Sequence, residues 1–230
     1  MLRLFIGYDR VEAVAYHTMV QSILDTCTVP VSITPIKLSM LPEYTRERDP
    51  KQSNEFSFTR FLVPYLCDYE GFGLFMDCDM LLRADLNELW ELRDPTKSIQ
   101  VVKHDYTPKT QTKFLGAIQY QYPRKNWSSV MLFNCGHDHC KRLSPEYINK
   151  AMPMNLHRMH WTHESCIGEL PIEWNHLVGE YYPNPDAKNA HFTIGGPWFY
   201  EYDGCEFAEE WHRKLADMAH CDQLKKVLTA

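Results

Sequence analysis

The most constraining feature of this chain is an apolar segment that carries two aspartates, Gly73-Leu-Phe-Met-Asp77-Cys-Asp79-Met-Leu-Leu82. A continuous apolar run of this length predicts a strand buried on both faces of a sheet. Because an uncompensated buried charge is strongly disfavoured, we expect the strand to end at Asp77, with both carboxylates at its carboxyl end. Ligands of open α/β sheets bind at that edge.

The two carboxylates indicate a divalent cation. Carboxylates placed together repel each other, and a cation removes the repulsion. An all-oxygen ligand set suits Mg²⁺ or Mn²⁺, which keep positions free for water and for substrate phosphates. The pair therefore predicts a metal site that holds a diphosphate. Asp-x-Asp also occurs by chance in solvated turns, and it is the apolar run before Asp77 that favours the metal site.

Length and charge narrow the class of protein. The chain has 230 residues, which fits one domain over residues 1–230. Its formal net charge is −6, from 24 basic and 30 acidic residues without a basic stripe, so we expect no nucleic-acid partner. We see neither a signal peptide nor an apolar run of membrane-spanning length, and we expect the eight cysteines to be reduced. These observations predict a cytoplasmic protein with no transmembrane segment.

Alternating strand and helix patterns predict an α/β fold with a mostly parallel central sheet flanked by helices. Residues 39–54 are polar and contain two prolines, which predicts a loop that could act as a lid. The other predicted elements are strands over 2–7, 31–38, 99–102 and 127–134, helices over 12–24, 86–92 and from 145, a helix over 56–66 broken near Pro64, and a C-terminal helix over 207–228.

Three further motifs, taken with the aspartate pair, resemble one known family. They are Phe58-Thr-Arg60-Phe-Leu-Val-Pro64, Phe133-Asn134-Cys-Gly136 and His191-Phe-Thr-Ile-Gly195-Gly196-Pro197-Trp198. The set resembles the retaining glycosyltransferases of the glycogenin and bacterial lipopolysaccharide galactosyltransferase type, and the resemblance runs from residue 1 to about Trp198. It implies a single domain of the GT-A fold that transfers a sugar from a nucleoside-diphosphate sugar with retention of configuration.

The resemblance also implies roles for individual residues. Asp77, Asp79 and His191 resemble the family's metal ligands, and an imidazole suits Mn²⁺ better than Mg²⁺. Arg60 resembles an arginine that helps to hold the nucleotide sugar. The implied donor is a UDP-sugar, and the implied acceptor is a carbohydrate or glycoconjugate. By the same resemblance, Tyr8 and Asp9 would receive the nucleobase, and the candidate catalytic residues around the transferred sugar would be Asp105, Asn134 and Glu164.

The chain departs from the family in one loop. Gly196 stands where the family commonly has a lysine that touches the diphosphate. Gly195 and Gly196 would allow backbone N–H groups to approach phosphate closely. Alternative sources of the missing positive charge are Lys103, Arg83 and Lys188.

Two other functions remain open from the sequence. A nucleotidyltransferase also holds diphosphates with paired carboxylates, but it would usually have a glycine-rich basic loop after the first strand. Here that loop is Gly7-Tyr-Asp-Arg-Val-Glu-Ala13, with one glycine and one arginine. A non-catalytic sugar-binding or partner-binding module could share the fold, since fold does not fix function.

A second set of potential metal ligands occurs in Cys135-Gly-His137-Asp-His139-Cys140. The spacing is too tight for all four donors to face one tetrahedral zinc ion. We therefore expect this segment to be a loop after the strand that ends at Asn134.

Overall fold

The structure is a computed structural model that describes residues 1–49 and 52–219. Its strands are β1 (Leu2–Gly7), β2 (Val31–Ile36), β3 (Phe72–Met76), β4 (Met80–Leu82), β5 (Ile99–Val102), β6 (Val130–Asn134), β7 (Ile167–Leu170), β8 (His176–Leu177) and β9 (Asn189–His191). Its α-helices are α1 (Ala13–Thr26), α2 (Val63–Leu66), α3 (Leu86–Trp90), α4 (Pro145–Lys150), α5 (Pro153–His157) and α6 (Ala208–Ala219). Short 3-10 turns used below are Thr59–Leu62, Trp127–Ser129, Glu164–Cys166 and Ile172–Asn175.

In the described part of the chain, a six-stranded central sheet has the order β2-β1-β3-β6-β5-β7. All of its strands run in one direction except β6, which is antiparallel to both β3 and β5. The prediction of an α/β fold with a mostly parallel sheet is confirmed. Because β6 is reversed, its first residues, and not its last, lie at the edge where β3 and β5 end.

A smaller sheet, of order β4-β9-β8, follows directly after the carboxyl end of β3. β4 pairs antiparallel with β9, which sets Met80 opposite His191. The backbone N–H of Phe192 donates to the carbonyl of Asp79 at 2.9 Å. This sheet therefore carries His191, which is distant in the sequence, to the aspartate pair.

Most of the predicted strands and helices are present, with apolar runs buried and helix-capping residues at the predicted helix starts. Leu74, Phe75 and Met76 of β3 are fully buried, as the apolar run predicts. Asp85 caps α3 by accepting from the Asn87 N–H at 2.9 Å. Ser144 caps α4, which has Pro145 in its first turn. None of the described helices is both long and apolar enough to cross a membrane.

Several boundaries differ from the predictions: β2 ends at Ile36 and not at residue 38, and β6 begins at Val130, after the turn Trp127–Ser129. The helix expected over 56–66 is a 3-10 turn, Thr59–Leu62, followed by α2, and Pro64 lies in the first turn of α2. Proline is tolerated there because a first-turn N–H needs no helical partner, so it does not break the helix. The C-terminal helix begins at Ala208, and its predicted continuation over 220–228 lies outside the described residues. A single domain over 1–230 stays a prediction.

Candidate active site

Asp77 and Asp79 line a cavity of about 410 Å³ at the carboxyl edge of the central sheet. β3 ends at Met76, and the backbone N–H of Asp77 donates to the carbonyl of Ser129 at 3.0 Å. The side chains of Asp77 and Asp79 are only 9% and 12% exposed. The strand therefore ends at the first aspartate, as predicted, and both carboxylates are largely desolvated.

Asp77, Asp79 and His191 form a group that could hold a metal ion. One ligand atom from each lies within 4.8 Å of the other two, and His191 Nε2 is 3.3 Å from Asp79 Oδ1. The Oδ1 atom of each aspartate is buried without a hydrogen-bond partner among the described residues. Such atoms are costly, and a divalent cation would satisfy both of them. The three residues therefore fit a metal ion.

Asn175, in the turn Ile172–Asn175, sets the tautomer of His191. Its Nδ2 donates to the carbonyl of Asn126 at 3.3 Å, and its Oδ1 lies 2.8 Å from His191 Nδ1. An amide oxygen only accepts, so Nδ1 carries a proton and Nε2 is the ring nitrogen that faces Asp79. Hydrogen-bond partners of this kind orient metal-binding histidines. No local pattern in the sequence indicates this role for Asn175.

Burial and neighbouring charges act on the two carboxylates in different proportions. Burial raises the pKa of Asp77 to about 6, against the lowering effect of the Arg60 guanidinium and with a further rise from Asp79. Burial also acts to raise the pKa of Asp79, but the attraction of His191 and Lys113 lowers it below its ordinary value. Both groups are thus mainly ionised at neutral pH, as metal ligation requires.

Arg60 is a buried positive charge beside Asp77 and Asp79, which are called the acid pair from here on. Its Nη1 lies 2.7 Å from Asp77 Oδ1 and donates to the carbonyl of Ser128 at 2.8 Å. Its guanidinium lies 5.1 Å from the ring centroids of both Phe56 and Phe75. The contact with Asp77 is an ion pair without hydrogen-bond alignment. Arg60 therefore stabilises the buried charge of Asp77. Its contact with a nucleotide sugar stays a prediction.

The cavity also contains charged residues that the sequence did not single out. Lys113 and Lys125 line it, and the Lys125 ammonium donates to the carbonyl of Tyr120 at 3.0 Å. Burial, together with the charge of Lys113, lowers the pKa of Lys125 to about 8. Glu12 lines the cavity as well, and burial, followed by the charges of Asp79 and other carboxylates, raises its pKa well above its ordinary value. Neither lysine lies in a strand or helix pattern that would have marked it.

The cations suggested from the sequence as substitutes for the missing lysine do not line this cavity. Arg83 pairs with Glu210 at 2.8 Å, and Lys188 pairs with Glu88 at 2.5 Å. The Lys103 ammonium lies 5.9 Å from the ring centroid of Trp127. The structure therefore replaces these three suggestions with Lys113 and Lys125.

Gly195 and Gly196 are required by packing, and their phosphate contact stays a prediction. A Cβ on Gly195 would come within 2.3 Å of the Tyr202 ring, and one on Gly196 within 2.1 Å of the Trp198 ring. Gly195 also has a φ of +140°, and its N–H already donates to the carbonyl of Phe192 at 2.9 Å. Neither glycine lines the cavity.

Asn134 lies at the opposite edge of the sheet, which corrects its predicted sugar contact. Because β6 is antiparallel to β3, Asn134 pairs with Phe72 at the start of β3, and its amide donates to the carbonyl of Pro95 at 3.0 Å. Residues before β6, Asn126 and Ser128, line the cavity instead. The motif marked a strand end correctly, but local sequence did not reveal the direction of the strand.

Glu164 and Asp105 lie apart from the acid pair. Glu164 precedes β7, is exposed, forms an ion pair with Arg124 and does not line the main cavity, and its predicted position beside the reacting sugar stays a prediction. Asp105 is exposed and lines an adjoining cavity of about 350 Å³, which shares Tyr122 and Lys125 with the first. A sugar contact for Asp105 stays a prediction.

Tyr8 and Asp9 follow β1 at the same edge as Asp77. Tyr8 is half-buried, with the Lys37 ammonium 5.3 Å from its ring centroid. The buried Asp9 carboxylate accepts from the backbone N–H groups of Val11 at 2.9 Å and Glu55 at 3.0 Å. It therefore anchors the end of the predicted lid. Nucleobase contacts of Tyr8 and Asp9 stay predictions.

Known proteins resemble this chain in sequence and in fold. No protein-family model matches it. Protein CDI of Arabidopsis thaliana is 47% identical over 223 residues, which cover 94% of this chain and 86% of that protein.

Two solved structures share the fold at low sequence identity. The bifunctional glycosyltransferase WbbM has a TM-score of 0.69 and 16% identity, over 94% of this chain and 49% of that chain. The galactosyltransferase LgtC, solved with donor and acceptor sugar analogues, has a TM-score of 0.59 and 11% identity, over 94% of this chain and 96% of that chain. The chain thus spans about half the length of WbbM. These neighbours confirm the glycosyltransferase resemblance at the level of the fold, and the 47% identity shows that the chain belongs to the family of Arabidopsis thaliana Protein CDI and has the GT-A fold.

Proposed function

We propose that this protein is a metal-dependent glycosyltransferase that moves a sugar from a nucleoside-diphosphate sugar to a carbohydrate or glycoconjugate acceptor. The proposal depends above all on one observation: Asp77, Asp79 and His191 meet in a buried group at the ligand-binding edge of a GT-A fold. The Oδ1 atoms of Asp77 and Asp79 are buried and accept no hydrogen bond from the described residues, which favours a cation over an empty structural cluster. A UDP-sugar is the expected donor, and retention of configuration follows from the family resemblance.

The ligand set favours Mn²⁺, with Mg²⁺ as the alternative. Two carboxylates would bind either ion, but the imidazole of His191 suits Mn²⁺ better. When bound, the ion would neutralise the diphosphate as it leaves the sugar. The contribution of Asn175 is to hold the His191 ring in the ligating tautomer, through the 2.8 Å hydrogen bond to Nδ1.

Lys113 and Lys125 are the proposed phosphate-binding cations. A diphosphate carries more negative charge than one divalent ion cancels, so a second positive group is expected beside it. Both lysines line the cavity that holds the acid pair. Among the described residues the Lys113 ammonium forms no ion pair, and its aromatic contact is with the neighbouring Phe114 at 5.5 Å. These two residues would supply the charge that Gly196 does not.

The sugar would lie between the acid pair and the adjoining cavity. Asn126 offers an amide to the main cavity, and Asp105 lines the adjoining one. We propose that they hold sugar hydroxyls, so that catalysis depends on positioning and on electrostatic stabilisation of a cation-like transition state.

One experiment separates this function from its rivals. The full chain is incubated with Mn²⁺ and a panel of nucleotide sugars, and free nucleoside diphosphate is measured with and without a chelator. A glycosyltransferase releases the diphosphate from at least one donor, and only with metal. A nucleotidyltransferase instead releases pyrophosphate from nucleoside triphosphates, and a binding module releases neither. Either of the last two results would contradict the proposal.

A further inference from the structure

A second group of potential metal ligands lies at the opposite edge of the central sheet. His137 and His139 follow β6, and Cys166 immediately precedes β7. All three side chains are half-buried, and one ligand atom from each lies within 4.8 Å of the other two. The carboxyl end of β6 and the amino end of β7 share this edge, so the group is separate from the acid pair.

The group differs from the cluster suggested by the sequence. Cys135 and Cys140 are fully buried in the hydrophobic core, which confirms that the four donors of segment 135–140 do not converge on one ion. The third potential ligand beside the two histidines is instead Cys166, which comes from the turn before β7. The fold thus provides the soft ligand that local spacing could not provide.

Hydrogen bonds through the buried Ser98 fix two of the ligands. The carbonyl of Cys166 accepts from the Ser98 backbone N–H at 3.0 Å and from its hydroxyl at 3.1 Å. The Ser98 hydroxyl lies 2.7 Å from the Thr162 hydroxyl, which in turn lies 2.7 Å from His139 Nδ1. One nitrogen of His139 is therefore held, and the other is left for a ligand, which is the arrangement of metal-binding histidines.

His137 lies beside His139, with 4.8 Å between their ring centroids. Its Nδ1 accepts the backbone N–H of His139 at 3.1 Å, which keeps the Nδ1 lone pair unprotonated. An ion would take over this lone pair in exchange for one hydrogen bond.

We propose that His137, His139 and Cys166 bind Zn²⁺, with water in the fourth position. Zn²⁺ is held by imidazole nitrogens and thiolates, and zinc sites with an open position have three protein ligands and a water. Zinc bond lengths place the ligand atoms about 3.4–3.6 Å apart, so the group closes by at most about 1.4 Å on binding. Cys166 binds as the thiolate and releases its proton to solvent. The ion ties the loop after β6 to the start of β7, across β5.

The thiolate makes this site spectroscopically distinct from the acid pair. Co²⁺ bound to a thiolate has a charge-transfer band in the near ultraviolet, and Co²⁺ bound to two carboxylates and an imidazole does not. Metal-stripped full chain is titrated with Co²⁺ and then with Zn²⁺. We expect the band to saturate at about one equivalent, to disappear on addition of Zn²⁺, to persist in Asp79→Asn and to be lost in Cys166→Ser.

Two further variants keep the test decisive. Cys27→Ser is a matched control, because Cys27 is also a free, half-buried thiol, and it should keep the band. His137→Gln should weaken Co²⁺ binding by more than tenfold, and it carries the test if Cys166→Ser fails to fold by circular dichroism. No band in the wild type, a band that survives in Cys166→Ser, or unchanged affinity in His137→Gln would overturn the proposal.

Discussion

At the scale of single residues, Arg60 stabilises two carboxylates that would otherwise repel each other without an ion. Its guanidinium contacts Asp77 Oδ1 at 2.7 Å and the carbonyl of Ser128 at 2.8 Å, and it is nearly fully buried. Nη1 makes both of these contacts, and Nε of the same planar fork donates to the carbonyl of Phe56 at 3.3 Å, whereas a lysine carries a single nitrogen. Removing one partner of a buried ion pair leaves the other charge uncompensated.

Arg60→Lys should therefore lower the free energy of unfolding by about 1–3 kcal/mol, because a single ammonium cannot replace the contacts of both Nη1 and Nε. Urea unfolding in the presence of a chelator measures this change. Arg93→Lys is the control, because its ion pair with Glu91 is partly exposed and is expected to contribute less than about 1 kcal/mol. Unchanged stability in Arg60→Lys would show that the arginine does not hold the apo site together.

Lys113 supplies a separate test of the proposed diphosphate site. Lys113→Gln keeps a polar side chain but removes the charge, so we expect UDP to bind about tenfold more weakly in the presence of Mn²⁺, which is about 1.4 kcal/mol. Titration calorimetry measures the affinity. Lys109→Gln is the control, because its ammonium donates to the carbonyl of Gly179 at 3.1 Å and does not line the cavity. Equal affinities for the two variants would remove Lys113 from the site.

At the scale of secondary structure, the predictable features were those that depend on a short stretch of chain. The apolar run of β3 and the position of Asp77 at its end follow from the cost of burying a charge. β5 has the predicted bounds, Ile99–Val102. The direction of β6 could not be predicted, because it depends on pairing with β3 and β5, which lie far away in the sequence. The wrong placement of Asn134 follows from that one missing fact.

The link between Asn175 and His191 also joins distant segments. The family resemblance identified His191, but no local pattern distinguishes an asparagine that orders a turn from one that orients a metal ligand. Pairing of β8 with β9 places the turn Ile172–Asn175 beside His191. The hydrogen bond of 2.8 Å is visible only in the folded chain.

Asn175→Ala should weaken Mn²⁺ binding by about 10–100-fold, because the His191 ring loses the acceptor that fixes its tautomer. Mn²⁺ binding is measured by electron paramagnetic resonance. Asn155→Ala is a matched control, since Asn155 Oδ1 also faces a histidine, His160, at 3.4 Å, outside the candidate metal group. Equal Mn²⁺ affinity in wild type and Asn175→Ala, with both folded, would contradict the positioning role.

At the scale of the whole molecule, buried histidines couple folding to pH. Burial, followed by the charges of other histidines, lowers the pKa of His104 from 6.5 to about 3, and burial with nearby arginines does the same for His157. Between these values the unfolded chain binds protons that the folded chain does not. Each such histidine therefore contributes stability above about pH 6.5 that is lost as the pH falls towards 3, by about 1.4 kcal/mol per pH unit. The raised pKa of Asp77 acts in the opposite direction below about pH 6.

His104→Gln isolates the contribution of His104 to the pH dependence of stability, because the variant and the wild type share all other titrating groups. We expect its unfolding free energy to fall less steeply than that of the wild type between pH 6 and pH 4, by about 1 kcal/mol per pH unit. His160→Gln replaces an exposed histidine and should keep the wild-type slope. Urea unfolding at each pH gives the slopes, and identical slopes for wild type and His104→Gln would contradict this account.

The central claim is that the acid pair binds a donor diphosphate through a metal ion, and calorimetric titration of UDP tests it most directly. Wild type should bind UDP with Mn²⁺ and lose that binding with a chelator. Asp79→Asn should lose Mn²⁺-dependent binding while it stays folded by circular dichroism, because the amide keeps the size of the carboxylate but not the charge that holds the cation. Asp186→Asn, at an exposed position, should behave like the wild type. Full Mn²⁺-dependent UDP binding by Asp79→Asn would contradict the account. So would equal UDP affinity of the wild type with Mn²⁺ and with a chelator.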